Sequence, residues 1–106
     1  MLCERGVLAR SLAGHDAGTL YVVTEVTEGF AWVADGRLKT AAAPKKKNLR
    51  HLQLMRCPDK AFFESAAAGL PIRDDEIRRV LKTVQRQSKE ETAAGRLSEE
   101  VQDVEG

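Results

Sequence analysis

Glycines and turn residues divide the first half of this chain into short segments that each resemble a β-strand. The segments cover residues 7–12, 20–26, 30–34, 37–40 and 48–54. Residues 20–26 are especially rich in β-branched and aromatic side chains, which favour strands. Asp35-Gly36 predicts a tight hairpin, because the favoured two-residue turn needs positive φ at both central residues. Five short strands with no helix between them predict a small antiparallel barrel.

The second half has the periodicity and the capping signals of helices. Asp59 is predicted to cap a short helix that Gly69 ends, and Asp74 is predicted to cap a second helix. The second helix carries an apolar stripe at helical spacing, formed by Ile77, Val80, Leu81 and Val84. Residues 92–106 have no such stripe and are polar, which predicts a disordered tail.

The change of period coincides with a reversal of charge. Residues 1–58 carry nine basic and five acidic side chains, a net charge of +4, and residues 59–106 carry eight and eleven, a net charge of −3. We therefore divide the chain into a barrel over residues 1–56, a helical appendage over 57–91 and a tail over 92–106. We predict that residues 1–56 fold alone and that the apolar stripe serves a partner. The alternative, in which the stripe covers the barrel, stays open.

Composition narrows the class of protein. The chain has 106 residues, 42% of them hydrophobic and 31% charged, as is typical of a soluble domain. Its two cysteines, Cys3 and Cys57, have no CxxC spacing, so we expect no zinc site, no metal and no cofactor. No apolar run approaches the roughly 20 residues of a membrane span, and no secretory signal is evident. We predict a reduced, cytoplasmic protein.

Positive charge is concentrated between Gly36 and Pro58, where no acidic residue occurs. Such a local field attracts polyanions, and nucleic acid is the first candidate. A lysine triplet alone is more often a solvated loop, but seven basic residues beside a predicted barrel favour phosphate contact. The seven are Arg37, Lys39, Lys45, Lys46, Lys47, Arg50 and Arg56.

Residues 6–23, with the sequence GVLARSLAGHDAGTLYVV, resemble a KOW motif in which Gly18 is the key glycine of the loop. The continuations VADGRL at 33–38 and PKKKNLRHL at 44–52 are similar to small bacterial KOW-domain RNA-binding proteins. Those proteins resemble the KOW-bearing large-subunit ribosomal proteins of archaea and eukaryotes. The resemblance covers residues 5–54, about half the chain, and implies an SH3-like barrel that associates with RNA, ribosomal RNA above all.

The predicted function is therefore non-catalytic RNA binding through phosphates and shape rather than base edges. KOW barrels also occur in elongation factors, so a protein-interaction module of the transcription machinery is the alternative. The helical appendage is then a candidate contact for ribosomal or transcription proteins. The predicted RNA-binding residues are Arg10, His15, Arg37, Lys39, Lys45, Lys46, Lys47, Asn48, Arg50 and His51.

Other side chains with potential chemistry have simpler explanations. His15 and His51 lack a partner at catalytic or ligand spacing, so we predict no enzyme. Trp32 and Tyr21 could stack on unpaired bases, but a small barrel with so few aromatics is expected to need both in its core. The acidic run 74–76 is explained by a helix N-terminus better than by a divalent metal.

Overall fold

The computed structural model of the protein describes residues 2–97 and contains five strands and two helices. The predicted combination of antiparallel strands followed by helices is confirmed. The strands are β1 (Leu8–Ser11), β2 (Leu20–Thr27), β3 (Phe30–Ala34), β4 (Lys45–Asn48) and β5 (Leu52–Met55). A 3-10 helix, Leu49–His51, joins β4 to β5, and the α-helices are α1 (Lys60–Ala67) and α2 (Asp74–Leu97).

The predicted hairpin at Asp35-Gly36 and the returning strand at 37–40 are wrong. The Asp35 carboxylate accepts hydrogen bonds from the backbone N–H groups of Arg37 and Lys39, at 2.9 and 3.0 Å. These bonds fold residues 35–44 into a loop and occupy donors that a strand would need. The lysine triplet forms the partner of β3 instead, with Lys46 opposite Trp32.

The predicted strand over 48–54 is interrupted at its start. The Asn48 side chain accepts a hydrogen bond from the Arg50 N–H at 2.9 Å and caps the 3-10 helix. Asn48 is therefore the last residue of β4, and only residues 52–54 of the predicted segment lie in β5.

The sheet must curl, because its two edge strands are joined by a very short connection. The strand order is β4-β3-β2-β1-β5, and all neighbouring pairs are antiparallel. Four strand spacings would hold the edges of a flat sheet about 19 Å apart, whereas a three-residue 3-10 helix rises only about 6 Å. The last residue of β4 and the first of β5 are therefore brought together at one corner. Within residues 2–97, no ladder pairs these two strands.

The sheet buries apolar side chains on both faces. Leu20 and Val22 of β2 belong to a helix-side cluster, while Tyr21 and Val23 belong to an interior cluster within the curl of the sheet. The helix-side cluster contains Leu8, Leu20, Val22, Ala34, Cys57, Phe62, Ile77, Val80 and Leu81. The interior cluster contains Val7, Ala9, Tyr21, Val23, Ala31, Val33 and Leu52.

The apolar stripe of α2 is part of this core and is not left for a partner. Ile77, Val80 and Leu81 are 0%, 1% and 6% exposed, and Val84 packs at the edge of the same cluster. The open alternative of a stripe that covers the sheet is therefore the one that the structure adopts. The predicted tail begins at residue 92, within α2, and its residues 98–106 lie outside the described part of the chain.

One of the two predicted helix caps is correct. Asp59 accepts a hydrogen bond from the Phe62 N–H at 3.0 Å and caps α1. At α2, however, the Glu76 carboxylate accepts a hydrogen bond from the N–H of Arg73, the residue just before the helix, at 3.1 Å. The Asp74 carboxylate instead accepts from the Ala41 N–H at 2.7 Å, so it fastens the 35–44 loop to the helix.

Gly36 lies where this loop touches α2, and a side chain there is expected to be costly. Its φ is +79°, and an added Cβ would lie 2.7 Å from the Asp74 carbonyl oxygen and 2.9 Å from the Arg78 Cγ. Left-handed backbone costs about 1–2 kcal/mol for a residue with a Cβ, and overpacking adds about 1–3 kcal/mol. We expect Gly36→Ala to lower the free energy of unfolding by about 3 kcal/mol, measured by urea denaturation.

Gly18 supplies the matched control for this measurement. Its φ of +91° is also in the left-handed region, but an added Cβ would meet nothing within 4 Å. Gly18→Ala should therefore incur only the backbone cost of about 1–2 kcal/mol. Equal losses in the two variants would show that the contact between Gly36 and α2 is unimportant.

Candidate nucleic-acid interface

Two of the three lysines in β4 point toward an internal carboxylate. The Nζ atoms of Lys45 and Lys47 each lie 3.1 Å from an oxygen of Asp16, in the loop between β1 and β2. Lys47 also donates to the Ala13 carbonyl at 3.3 Å, and its side chain is only 9% exposed. Lys47 is thus mainly a structural ion-pair partner, whereas Lys45 is about one-third exposed.

The Asp16 carboxylate accepts four side-chain hydrogen bonds. Besides the two lysines, the Ser11 Oγ donates at 2.9 Å and the Tyr21 hydroxyl donates at 2.7 Å. Burial by itself would raise the pKa of Asp16, but the four donors outweigh it and hold the pKa well below the usual range. Burial and the bond to Asp16 raise the pKa of Tyr21. This network, which we call the Asp16 cluster, fastens the 12–19 loop to β4.

Apart from Lys46 within the strand, the exposed basic residues of the predicted site lie at the two ends of β4. Arg37 and Lys39 lie on the 35–44 loop, which enters the strand at Lys45. Arg50 and His51 follow its last residue, on the 3-10 helix, and both are exposed. The predicted site therefore follows the length of β4, from the 35–44 loop to the 3-10 helix.

The 12–19 loop joins the residues that follow β4. The Leu12 N–H donates to the His51 carbonyl at 2.8 Å, and His15 is exposed on the same loop. Two other predicted residues make internal contacts: the Arg10 guanidinium donates to the Gly18 carbonyl at 3.2 Å, and Asn48 caps the 3-10 helix. Their side chains support the loops that present the cations.

Trp32 does not lie in the core, contrary to the sequence prediction, whereas Tyr21 is buried as predicted, at 2% exposure. Trp32 and Phe30 are partly exposed on the outer surface of β3, and neither belongs to an apolar cluster. The Lys46 ammonium lies 4.4 Å from the Phe30 ring centroid and 5.6 Å from that of Trp32. We call Phe30, Trp32 and Lys46 the aromatic face.

Strand alternation could have revealed this arrangement. In β3 the small and branched residues Ala31 and Val33 take the interior positions, so Phe30 and Trp32 must point the other way. The same period places Lys45 and Lys47, opposite Val33 and Ala31, on the interior side of β4.

The described part of the chain contains two free thiols but neither a metal-binding cluster nor a membrane-spanning helix. No group of three or more His, Cys, Asp or Glu side chains within it has the geometry to hold a metal ion. No helix among these residues is both long and apolar enough to cross a bilayer. Cys3 is a partly buried free thiol and Cys57 a buried one, and burial raises the pKa of each.

Comparison with known proteins adds no family to this picture. No protein-family model matches the chain, and neither does any curated protein.

Proposed function

We propose that this protein is a non-catalytic RNA-binding protein of the cytoplasm, built on an SH3-like KOW barrel and directed at ribosomal RNA. A single sheet of five antiparallel strands, whose edge strands are joined by the short 3-10 helix, supports this proposal. The KOW-like sequence of residues 6–23 spans β1, the 12–19 loop and the start of β2, so the motif coincides with one structural unit. RNA as the target follows from this resemblance together with the charges of the surface.

The observation that carries the proposal is a set of exposed cations without acidic partners. Arg37, Lys39, Lys46 and Arg50 are all exposed, and none of the salt bridges among the described residues involves them. These long cationic side chains lie on the 35–44 loop, on β4 and on the 3-10 helix. Such a series suits contacts with successive phosphates of a polyanion.

The test is the salt dependence of RNA binding. Each phosphate neutralised on single-stranded RNA contributes about −0.7 to the slope of log affinity against log salt. Replacing Lys46 and Arg50 together with Gln should weaken binding and reduce the steepness of this slope by about 1.4. Filter binding over a salt series measures both quantities.

A matched control uses two exposed lysines of the helices. Lys60→Gln with Lys82→Gln removes the same charge from α1 and α2. That variant should retain the wild-type slope. If both double variants behave alike, general charge and not the β4 surface controls binding, and the proposed interface is wrong.

A pocket supports the alternative of a protein-interaction module. Its volume is about 520 Å³, and apolar side chains make most of its wall. It lies between α1 and the residues that precede β1 and follow β5, and it is lined by Glu4, Val7, Arg56, Cys57, Pro58, Lys60 and Phe63. Co-sedimentation with ribosomes before and after a high-salt wash distinguishes the two functions. Contact with rRNA phosphates predicts release at high salt, whereas an apolar protein contact predicts retention.

A further inference from the structure

The aromatic face places two of the few aromatic side chains of this protein at the surface. The chain has only five aromatic residues, and Phe30 and Trp32 are two of them. Large aromatic side chains normally dominate the core of a small domain, yet these two lie outside both apolar clusters. Both point to the outer side of β3, as does Ala34, which is buried in the helix-side cluster. The helix-side cluster therefore occupies one end of this side of β3, and the aromatic rings occupy the other.

We propose that the aromatic face is a stacking site for unpaired RNA bases. This inference rests on the proposed function and makes it more specific, because stacking requires single-stranded segments, loops or bulges. Phe30 and Trp32 are two positions apart on one strand, so their rings offer neighbouring surfaces for successive bases.

The charges around the rings favour this occupant and fix its orientation. Lys46 supplies a cation for the phosphate beside a stacked base, and the exposed Arg50 lies just beyond the end of the same strand. On the other side, exposed Glu25 of β2 is opposite Trp32. A carboxylate there repels phosphate but accepts hydrogen bonds from the N–H groups of bases, including the ring N–H of uracil. The backbone of the RNA therefore follows β4, and its bases point toward β2.

The Lys46 ammonium lies over the rings on which a base would stack, so the two would compete for the same surface. The strengths of the two interactions decide which one occupies it. A cation over an exposed ring contributes about a twofold to fivefold factor to an equilibrium constant. A stacked base contributes about fivefold to more than a hundredfold. The base therefore displaces the ammonium, which moves to the adjacent phosphate and retains a charged partner.

Trp32 is the only tryptophan of the chain, so its fluorescence reports on this site directly. The probes are oligouridylate, an oligomer of equal length with abasic riboses, and an RNA duplex. We expect quenching by oligouridylate only, and at least fivefold weaker binding of the abasic oligomer. Trp32→Leu should lose about fivefold or more in affinity for oligouridylate, and Trp32→Phe should retain most of it.

The outcomes separate this inference from the proposal on which it rests. If oligouridylate binds without quenching, or if the base-bearing and abasic oligomers bind equally, the stacking site is overturned and RNA binding stands. If none of the three probes binds, both proposals are overturned. The quenching measurement uses the wild-type protein, so it decides the matter even where a Trp32 variant melts early.

Discussion

A fragment truncated after Arg56 is expected to be unfolded. Truncation removes more than half of the helix-side cluster, namely Cys57, Phe62, Ile77, Val80 and Leu81. Val22, Leu8 and Ala34 of the sheet, each 0% exposed in the full chain, would then face water. A fragment of this size is marginal even with its core intact, and each large apolar side chain contributes about 1.5–3 kcal/mol when buried.

Amide-proton dispersion in an NMR spectrum of residues 1–56 measures this outcome. A chain ending after residue 85 provides the control, because it keeps the stripe from Ile77 to Val84 and should remain folded. Well-dispersed amide signals from residues 1–56 would contradict the expectation and restore the barrel as an independent unit. If residues 1–56 are unfolded as expected, RNA-binding experiments must use a chain that contains both helices.

Asp16→Asn is expected to lower the free energy of unfolding by about 3 kcal/mol. Removing one partner of a buried ion pair costs about 3–5 kcal/mol, because the other charge remains buried. Lys47, at 9% exposure, is the charge left behind, and only Lys45 has ready access to water. Urea denaturation of the wild type and the variant measures the difference.

Lys47→Met provides the matched variant, because Asp16 keeps its bonds from Ser11, Tyr21 and Lys45. We expect the single Lys47 change to cost less than the Asp16 change. We also expect the double variant to cost less than the sum of the two. Strict additivity of the two losses would show that the pair is not coupled.

The Asp16 cluster also predicts how stability depends on pH. The folded-state pKa of Asp16 is lower than its ordinary value of about 4, so the unfolded chain takes up the proton first. Its contribution to stability is therefore complete above pH ~4 and is lost as the pH falls further. Thermal unfolding of the wild type should show this acid loss, and Asp16→Asn should show less of it. Parallel profiles would indicate that other carboxylates control acid unfolding.

The sequence predicted strands where local pattern and tertiary structure agree. β1, β2 and β3 lie within or close to segments of apolar and β-branched residues bounded by glycines. β4 was missed because three successive lysines have little intrinsic preference for a strand. What makes Lys47 acceptable in the interior is Asp16, which lies 31 residues earlier in the chain. No local window contains both residues.

For the candidate site, the sequence predicts the cationic region but not the orientation of its side chains, because that orientation also depends on distant parts of the chain. A run of basic residues identifies a cationic region, but it does not say which side chains face water. Strand alternation assigns Lys45 and Lys47 to the interior and Lys46 to the outer surface, once β4 is known. Trp32 was assigned to the core from the scarcity of aromatics, although its alternation with Ala31 and Val33 points outward.

The position of β5 at the sheet edge beside β1 has a consequence for the order of folding. β1 pairs with β5 through partners such as Leu8 and Met55, which are 47 residues apart. Ladders between distant segments slow folding, because a large loop must close before the contacts form. During synthesis, the second edge of β1 must wait for β5 to leave the ribosome, whereas β2 can pair early with both β1 and β3. Folding should therefore begin at the β2–β3 hairpin, continue when β5 pairs with β1, and finish when α1 and α2 cover the sheet.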